Sequence, residues 1–451
     1  MLIKSEPDVY TKLKHLTGMA TDDVLSKPSE AKTYAASRGP YSRPEKNPAP
    51  GVYKASMPNG KTINLFRVMF TDHCKMDCHF CPNSHWVPRK RFAFKVDELA
   101  RTFHEMERQH TVAGMFLSSG VAGTGSKTTE KLIKVVDLIR NKYHFNGYIH
   151  LKVMPGTEKQ YVEEAFRLGT RLSVNLETPT VEGMQKLSKM KQLQRDMLDP
   201  MQWTDDLLRT RDPNGAVGQA TQLVVGAADE SDRDIFRRID QLYGEWHFKR
   251  VYYNPFFPVR HTPLENHPAT PMIRTNRLYQ LDWLKRIYKY ANEEIEPAFD
   301  GAGFLPYEDD PKIAIALANP DKFPVHINEA SRIDLLRIPG IGPKSVDRIL
   351  IQRRSHRIDN WRDLVSMGVV RKRASAFVTF PGAEPLRAKQ LKLDLFKQPV
   401  AVLQAHTRSV SGGDASPGVG QSGAPCGQAS SCTGCPMFGM PGHPGSLTKA
   451  A

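Results

Sequence analysis

Cys74, Cys78 and Cys81 fall within eight positions of a 451-residue chain, in the run FTDHCKMDCHFCPN at residues 70–83. Their C-x3-C-x2-C spacing gathers three thiolates on one short loop, a pattern suited to iron–sulfur chemistry. A 4Fe–4S cube takes four ligands, thiolates by preference, so three cysteines leave one iron without a protein ligand. The spacing is also compatible with a Cys3His zinc site, because His73, His79 and His85 lie close by. A disulfide is not expected in a chain that shows no secretion signal, where thiols are kept reduced.

The array resembles the signature of radical SAM enzymes, in which S-adenosylmethionine chelates the open iron. The aromatic Phe80 before the third cysteine fits that pattern. The resemblance implies a 4Fe–4S cluster on Cys74, Cys78 and Cys81, S-adenosylmethionine beside it, and a flavodoxin- or ferredoxin-like electron donor. It also implies the reaction: one electron splits the sulfonium into methionine and a 5′-deoxyadenosyl radical, which removes a hydrogen atom from an unactivated carbon. The cofactors carry that step, and the protein orients them. Carried over by position, Ser119 and Gly120 form the turn at the methionine amino group, although Val121 stands where the family has an acidic ending. Asn175 and Glu177 correspond to ribose and amine contacts. Period-two alternation puts Ser173, Asn175 and Glu177 on one strand face; a polar lining of a wet barrel is the plainer reading of that face. The stretch at 120–128 is not a phosphate-binding P-loop, since Ser126 intervenes between its glycine and Lys127.

These residues need elements to hold them. Strand-like runs at 63–70, 114–121, 148–156, 171–180, 220–227 and 248–259 alternate with helical patterns at 96–110, 128–140 and 158–169. Alternation predicts an α/β fold with a parallel sheet and right-handed crossovers. The family resemblance makes this a partial (β/α)6 TIM-like barrel, whose chemistry gathers at the carboxyl ends of the strands. The expected organisation is an extended leader at 1–62, a barrel at 63–295 closed by an amphipathic helix at 276–295, and a connector at 296–325. A charged insertion at 184–218 would cover the barrel mouth.

Residues 326–385 read as helix, PGIG turn, helix, with a weaker echo at Gly368 and Val369. This resembles the all-α helix-hairpin-helix module of DNA repair and recombination proteins. Gly340 and Gly342 would turn the chain so that amides at the next helix start meet a phosphate oxygen, with Lys344 adding charge. Such contacts position a protein on DNA without reading sequence. The chain carries +15 net charge, and residues 326–410 hold 16 Lys/Arg against 7 Asp/Glu, a surplus of +9. Radical SAM barrel plus hairpin resembles a family associated with DNA modification or repair. The rivals are an enzyme acting on RNA or protein, and an idle barrel in a DNA-binding scaffold; a hairpin used only for protein contacts is the bland reading of the module. The basic-aromatic run RKRFAFK at 89–95 reads equally as a nucleic-acid contact or a solvated face.

Residues 386–451 form a Gly/Ser/Pro-rich tail whose composition predicts flexibility. It holds Cys426, Cys432 and Cys435 in CGQASSCTGCP. The candidates there are an auxiliary iron–sulfur cluster, zinc, a thiol returning hydrogen to a substrate radical, or no function. A 40% hydrophobic and 25% charged composition is that of an ordinary soluble protein. No run is long enough to span a bilayer, so no membrane partner and a cytoplasmic location are expected.

Overall fold

The computed structural model describes residues 7–22, 49–56, 62–211 and 217–381. It divides into two units, one running to Ile315 and the other beginning at Ala316.

In the first unit, seven strands pair in chain order: β1 (Val52–Ser56), β2 (Thr62–Met69), β3 (Gly114–Ser118), β4 (Tyr148–Lys152), β5 (Arg171–Ser173), β6 (Gly218–Val225) and β7 (Arg250–Pro255). From β2 to β7 every pairing is parallel, and β1 joins β2 antiparallel at the edge. One cavity is lined both by residues following β2 and by Asn254 and Phe256 at the end of β7, so the sheet curls into an open half-barrel. Helices fill the crossovers because their apolar residues recur at helical spacing. In α2 (Val96–Arg108, numbered after α1 at Val9–Asp22), Leu99, Ala100 and Phe103 are buried on one face. Thr124 caps α3 (Gly125–Asp137) by accepting from the Lys127 amide. Gly125 is required there, since a Cβ would stand 1.9 Å from the Pro155 carbonyl oxygen. The series continues with α4 (Lys159–Leu168), α5 (Val181–Leu187), α6 (Asp199–Arg211), α7 (Asp232–Gly244) and α8 (Met272–Arg286).

Two expectations change. The leader is not simply extended: α1 buries Leu16 and Ala20 in the barrel core, and Lys12 pairs with Glu98 at 2.9 Å. The apolar stripe of Leu13, Leu16 and Ala20 supplies the helix, and β1 contributes a whole strand. Residues 296–315 are likewise no mere connector. Leu305 donates its amide to Asp232 Oδ2 at 2.9 Å, and Phe299 packs against Phe236. The edge of β7 is covered by hydroxyls: Tyr243 accepts from the Val251 amide at 2.9 Å and Tyr279 from the Tyr253 amide at 3.0 Å.

The second unit includes the end of α9 (Pro311–Ala318), then α10 (Arg332–Arg337), α11 (Pro343–Ser355), α12 (Trp361–Ser366) and α13 (Arg371–Ala374). A two-strand ladder of β8 (Val325–His326) and β9 (Val378–Thr379) ties its ends together. Gly340 has φ +79° and Gly368 φ +91°, the left-handed region that favours glycine. The Val370 amide donates to the Gly340 carbonyl at 3.0 Å, so the two glycine turns lie side by side. Among the described residues no helix is long and apolar enough to cross a membrane.

Candidate cluster and cofactor site

The cysteine loop leaves the carboxyl end of β2 and is held by side chains from its own far end. Arg91 donates to four main-chain carbonyls, of Asp72 (2.6 Å), Asn83 (2.7 Å), Ser84 (2.7 Å) and Val87 (3.0 Å). Asp72 is fully buried; it accepts from the Phe92 amide at 2.6 Å and from His15 of α1 at 2.8 Å, and faces Arg89 at 3.3 Å. Phe92 and Phe94 are buried. The 89–95 run therefore turns its arginines and phenylalanines inward to fold the loop, and only Lys90 and Lys95 among its charges are exposed.

Cys74, Cys78 and Cys81 all line one cavity, together with Phe80, Ser119, Gly120, Asn175 and Glu177. The cavity contains about 960 Å³ free of protein atoms, open solvent at its mouth included. Gly120 is needed for close approach: a Cβ would meet the His73 carbonyl oxygen at 2.6 Å and Cys74 Cβ at 3.2 Å. Its amide donates to Thr71 at 2.6 Å, so Gly120 seats the cysteine loop as well as lining the cavity. Asn175 and Glu177 reach the cavity by a different path from the one alternation predicts. β5 ends at Ser173, the Leu176 amide turns to the Thr221 hydroxyl at 3.0 Å, and Glu177 takes φ +66°. Ser173 instead meets His150 Nε2 at 2.8 Å.

Residue types alone did not single out Lys191. It is buried, lines the cavity, and holds its Nζ 3.8 Å from Glu177 Oε1. Asp77, inside the cysteine array, places it. The Asp77 carboxylate accepts from the Ser188 hydroxyl and from the Lys189 amide (2.8 Å). The Ser188 Oγ in turn accepts from the Lys191 amide at 3.1 Å. Beside it, His79 takes the 186–187 carbonyls with its ring (2.7 Å) and its amide (2.9 Å). Burial pushes the Cys78 thiol up to about 11, with the Lys191 ammonium acting the other way. A buried thiol of that kind becomes a ligand when a cation replaces its proton.

The donor set fits a cluster better than a single ion. Among the described residues no three His, Cys, Asp or Glu side chains converge on one ion position. Each thiolate of a cube binds a different iron, so three cysteines spread around a cavity match it. His73, His79 and His85 are absent from the cavity lining. Lys191 and Glu177 give the same cavity both signs of charge, which suits the carboxylate and amine of an amino acid. Cys426, Cys432 and Cys435 lie outside the described residues. In the second unit, Gly342 precedes Pro343 at the start of α11, and Lys344 is exposed in its first turn.

Residues 68–207 match the Radical SAM superfamily. The matched stretch holds the three cysteines and β3 to β5, and it is thus similar to radical SAM domains, which use a 4Fe–4S cluster and S-adenosylmethionine. No curated protein matches the chain. Among solved structures it is similar to methylornithine synthase (PylB), at 16% identity and TM-score 0.38, over 48% of this chain and 60% of that one. It is similar to the FeFe-hydrogenase maturase HydG from Carboxydothermus hydrogenoformans, at 13% identity and TM-score 0.37, over 47% and 48%. Coproporphyrinogen III oxidase (HemN) from Escherichia coli matches at 13% identity and TM-score 0.33, over 55% and 56%. The chain thus spans less than two thirds of each of these proteins.

Proposed function

We propose that this protein is a radical SAM enzyme that modifies or repairs DNA. When bound, the 4Fe–4S cluster and S-adenosylmethionine supply a 5′-deoxyadenosyl radical through one-electron cleavage of the sulfonium. The chain's own residues prepare for that. Cys74, Cys78 and Cys81 hold the cluster, Lys191 takes the cofactor's carboxylate, and Glu177 takes its amine. The convergence of three thiols with the Lys191–Glu177 pair on one cavity carries the reading.

The DNA part rests on the second unit. First-turn amides of a helix have no carbonyl partner within it, and α11 begins next to the Gly340 turn. Arg371, Lys372 and Arg373 are exposed beside the Gly368 turn, as Lys344 is beside the first. Two adjacent turns with cations suit a phosphate backbone. A base inside a duplex is poorly accessible, so the target nucleotide is expected to leave the stack.

Anaerobic reconstitution tests both parts. With dithionite and S-adenosylmethionine the wild type should form 5′-deoxyadenosine and Cys78→Ala should not; equal yields would reject the radical reading. Added duplex DNA should raise the yield and acquire a mass change. A change confined to RNA would reject DNA as the target.

A further inference from the structure

Below the cofactor cavity, the inner face of the half-barrel is basic. The register sets Arg67 opposite Phe116, Phe116 opposite His150, and His150 opposite Arg171, one row across four strands. Lys152, two residues beyond His150 and on the same face, is buried and lines the cavity above. Tyrosines back the arginines. Arg67 Cζ lies 3.9 Å from the Tyr53 ring centroid and Arg171 Cζ 6.0 Å from that of Tyr148.

Every charge that acts on His150 is positive: Arg171, Lys152 and Arg67 reinforce burial in holding the ring neutral. Burial holds the Tyr148 hydroxyl protonated, pushed up to about 12, so it is a donor. Among the described residues neither Arg67 nor Arg171 has a carboxylate partner, and each keeps a buried Nε without an acceptor. Half-buried guanidiniums without a counter-ion are costly. Their planar forks match the oxygens of phosphate and carboxylate.

We propose that Arg67 and Arg171, with Lys152 above them and the tyrosine hydroxyls at their sides, form an oxyanion site inside the barrel that takes a phosphate group of a small ligand. The ligand's other end then reaches up past Lys152 to the cavity beside the cysteines. The proposal goes beyond the DNA reading and does not need it.

The test is binding of inorganic phosphate to the intact protein, read by calorimetry and by thermal unfolding. A mononucleotide is the second probe, and acetate and chloride at matched ionic strength are controls. Phosphate and the mononucleotide should bind and raise the melting temperature, with chloride inert. Arg171→Gln should weaken phosphate binding about tenfold or more, as expected for losing a charge-assisted contact. Arg67→Gln should do the same. Because either variant removes a half-buried cation that has no carboxylate partner among the described residues, it should unfold no earlier than wild type without phosphate, so loss of binding is not loss of fold. If chloride or acetate stabilises as well as phosphate, or the variants respond to phosphate like wild type, the site does not exist. These readouts use no reductant or S-adenosylmethionine, so they stand whether or not the radical reading does.

Discussion

Lys90 and Arg91 are neighbours in one basic run, yet only Arg91 turns inward, where its guanidinium gathers four carbonyls of the cysteine loop. The sequence shows such a run as charge and is silent on its direction. The same holds for Lys186, Lys189 and Lys191: burial beside Glu177 selects the last, and burial is a tertiary property. The cysteines were legible because their chemistry depends on local spacing. Arg91→Ala should destabilise the protein by about 3 kcal/mol, since hydrogen bonds from charged donors are among the strongest. It should also lower iron retention, measured by urea unfolding and iron quantitation; unchanged values would mean the loop holds itself. His150 gives a pH signature. An unfolded histidine titrates near 6.5, and burial, with Arg171, Lys152 and Arg67, lowers the folded value. Below pH about 6.5 the unfolded chain therefore binds a proton that the folded one refuses. Stability falls with falling pH, at most about 1.4 kcal/mol per unit, until the folded value is reached; above that window the residue contributes no slope. His150→Gln should flatten this limb between about pH 5 and 7 in denaturation curves, and an identical slope would show that His150 is not the group responsible.

At the scale of elements, six parallel strands were legible from alternating strand-like and helical runs, whereas their ends were not. The fourth run was expected to extend through 171–180, but its ladder stops at Ser173 because the Thr221 hydroxyl of β6 captures the Leu176 amide. That partner is distant in sequence, and alternation cannot foresee it. Asn175 and Glu177 arrive at the cavity regardless, Glu177 through a left-handed backbone. β7 poses an edge-strand problem that tyrosines solve: two of its outward amides end on phenolic oxygens of α7 and α8. Tyr279→Phe leaves the Tyr253 amide without its acceptor. The expected loss is about 1–3 kcal/mol, the cost of an unsatisfied buried donor. Chemical denaturation measures it, and no loss would mean that water replaces the hydroxyl.

For the whole molecule, the charge surplus of residues 326–410 was countable in the sequence, and the division of the chain near residue 316 was not. Residues 296–315 look like linker because Pro, Gly and Asp interrupt their apolar positions, yet Ala298, Phe299, Leu305 and Ile315 join the barrel core. The first 62 residues misled in the same way, proline masking a helix and a strand. β1 consequently acts as a sheath. It occupies the free flank of β2 with antiparallel pairing over five residue pairs, and strands left bare along such a flank template association with other chains. A chain starting at residue 62 should therefore self-associate, visible as a concentration-dependent shift in size-exclusion elution, while the full chain keeps its elution volume. If the shortened chain stays monomeric, the sheath is dispensable. The residues that carry no chemistry would then not be what keeps copies of this protein apart.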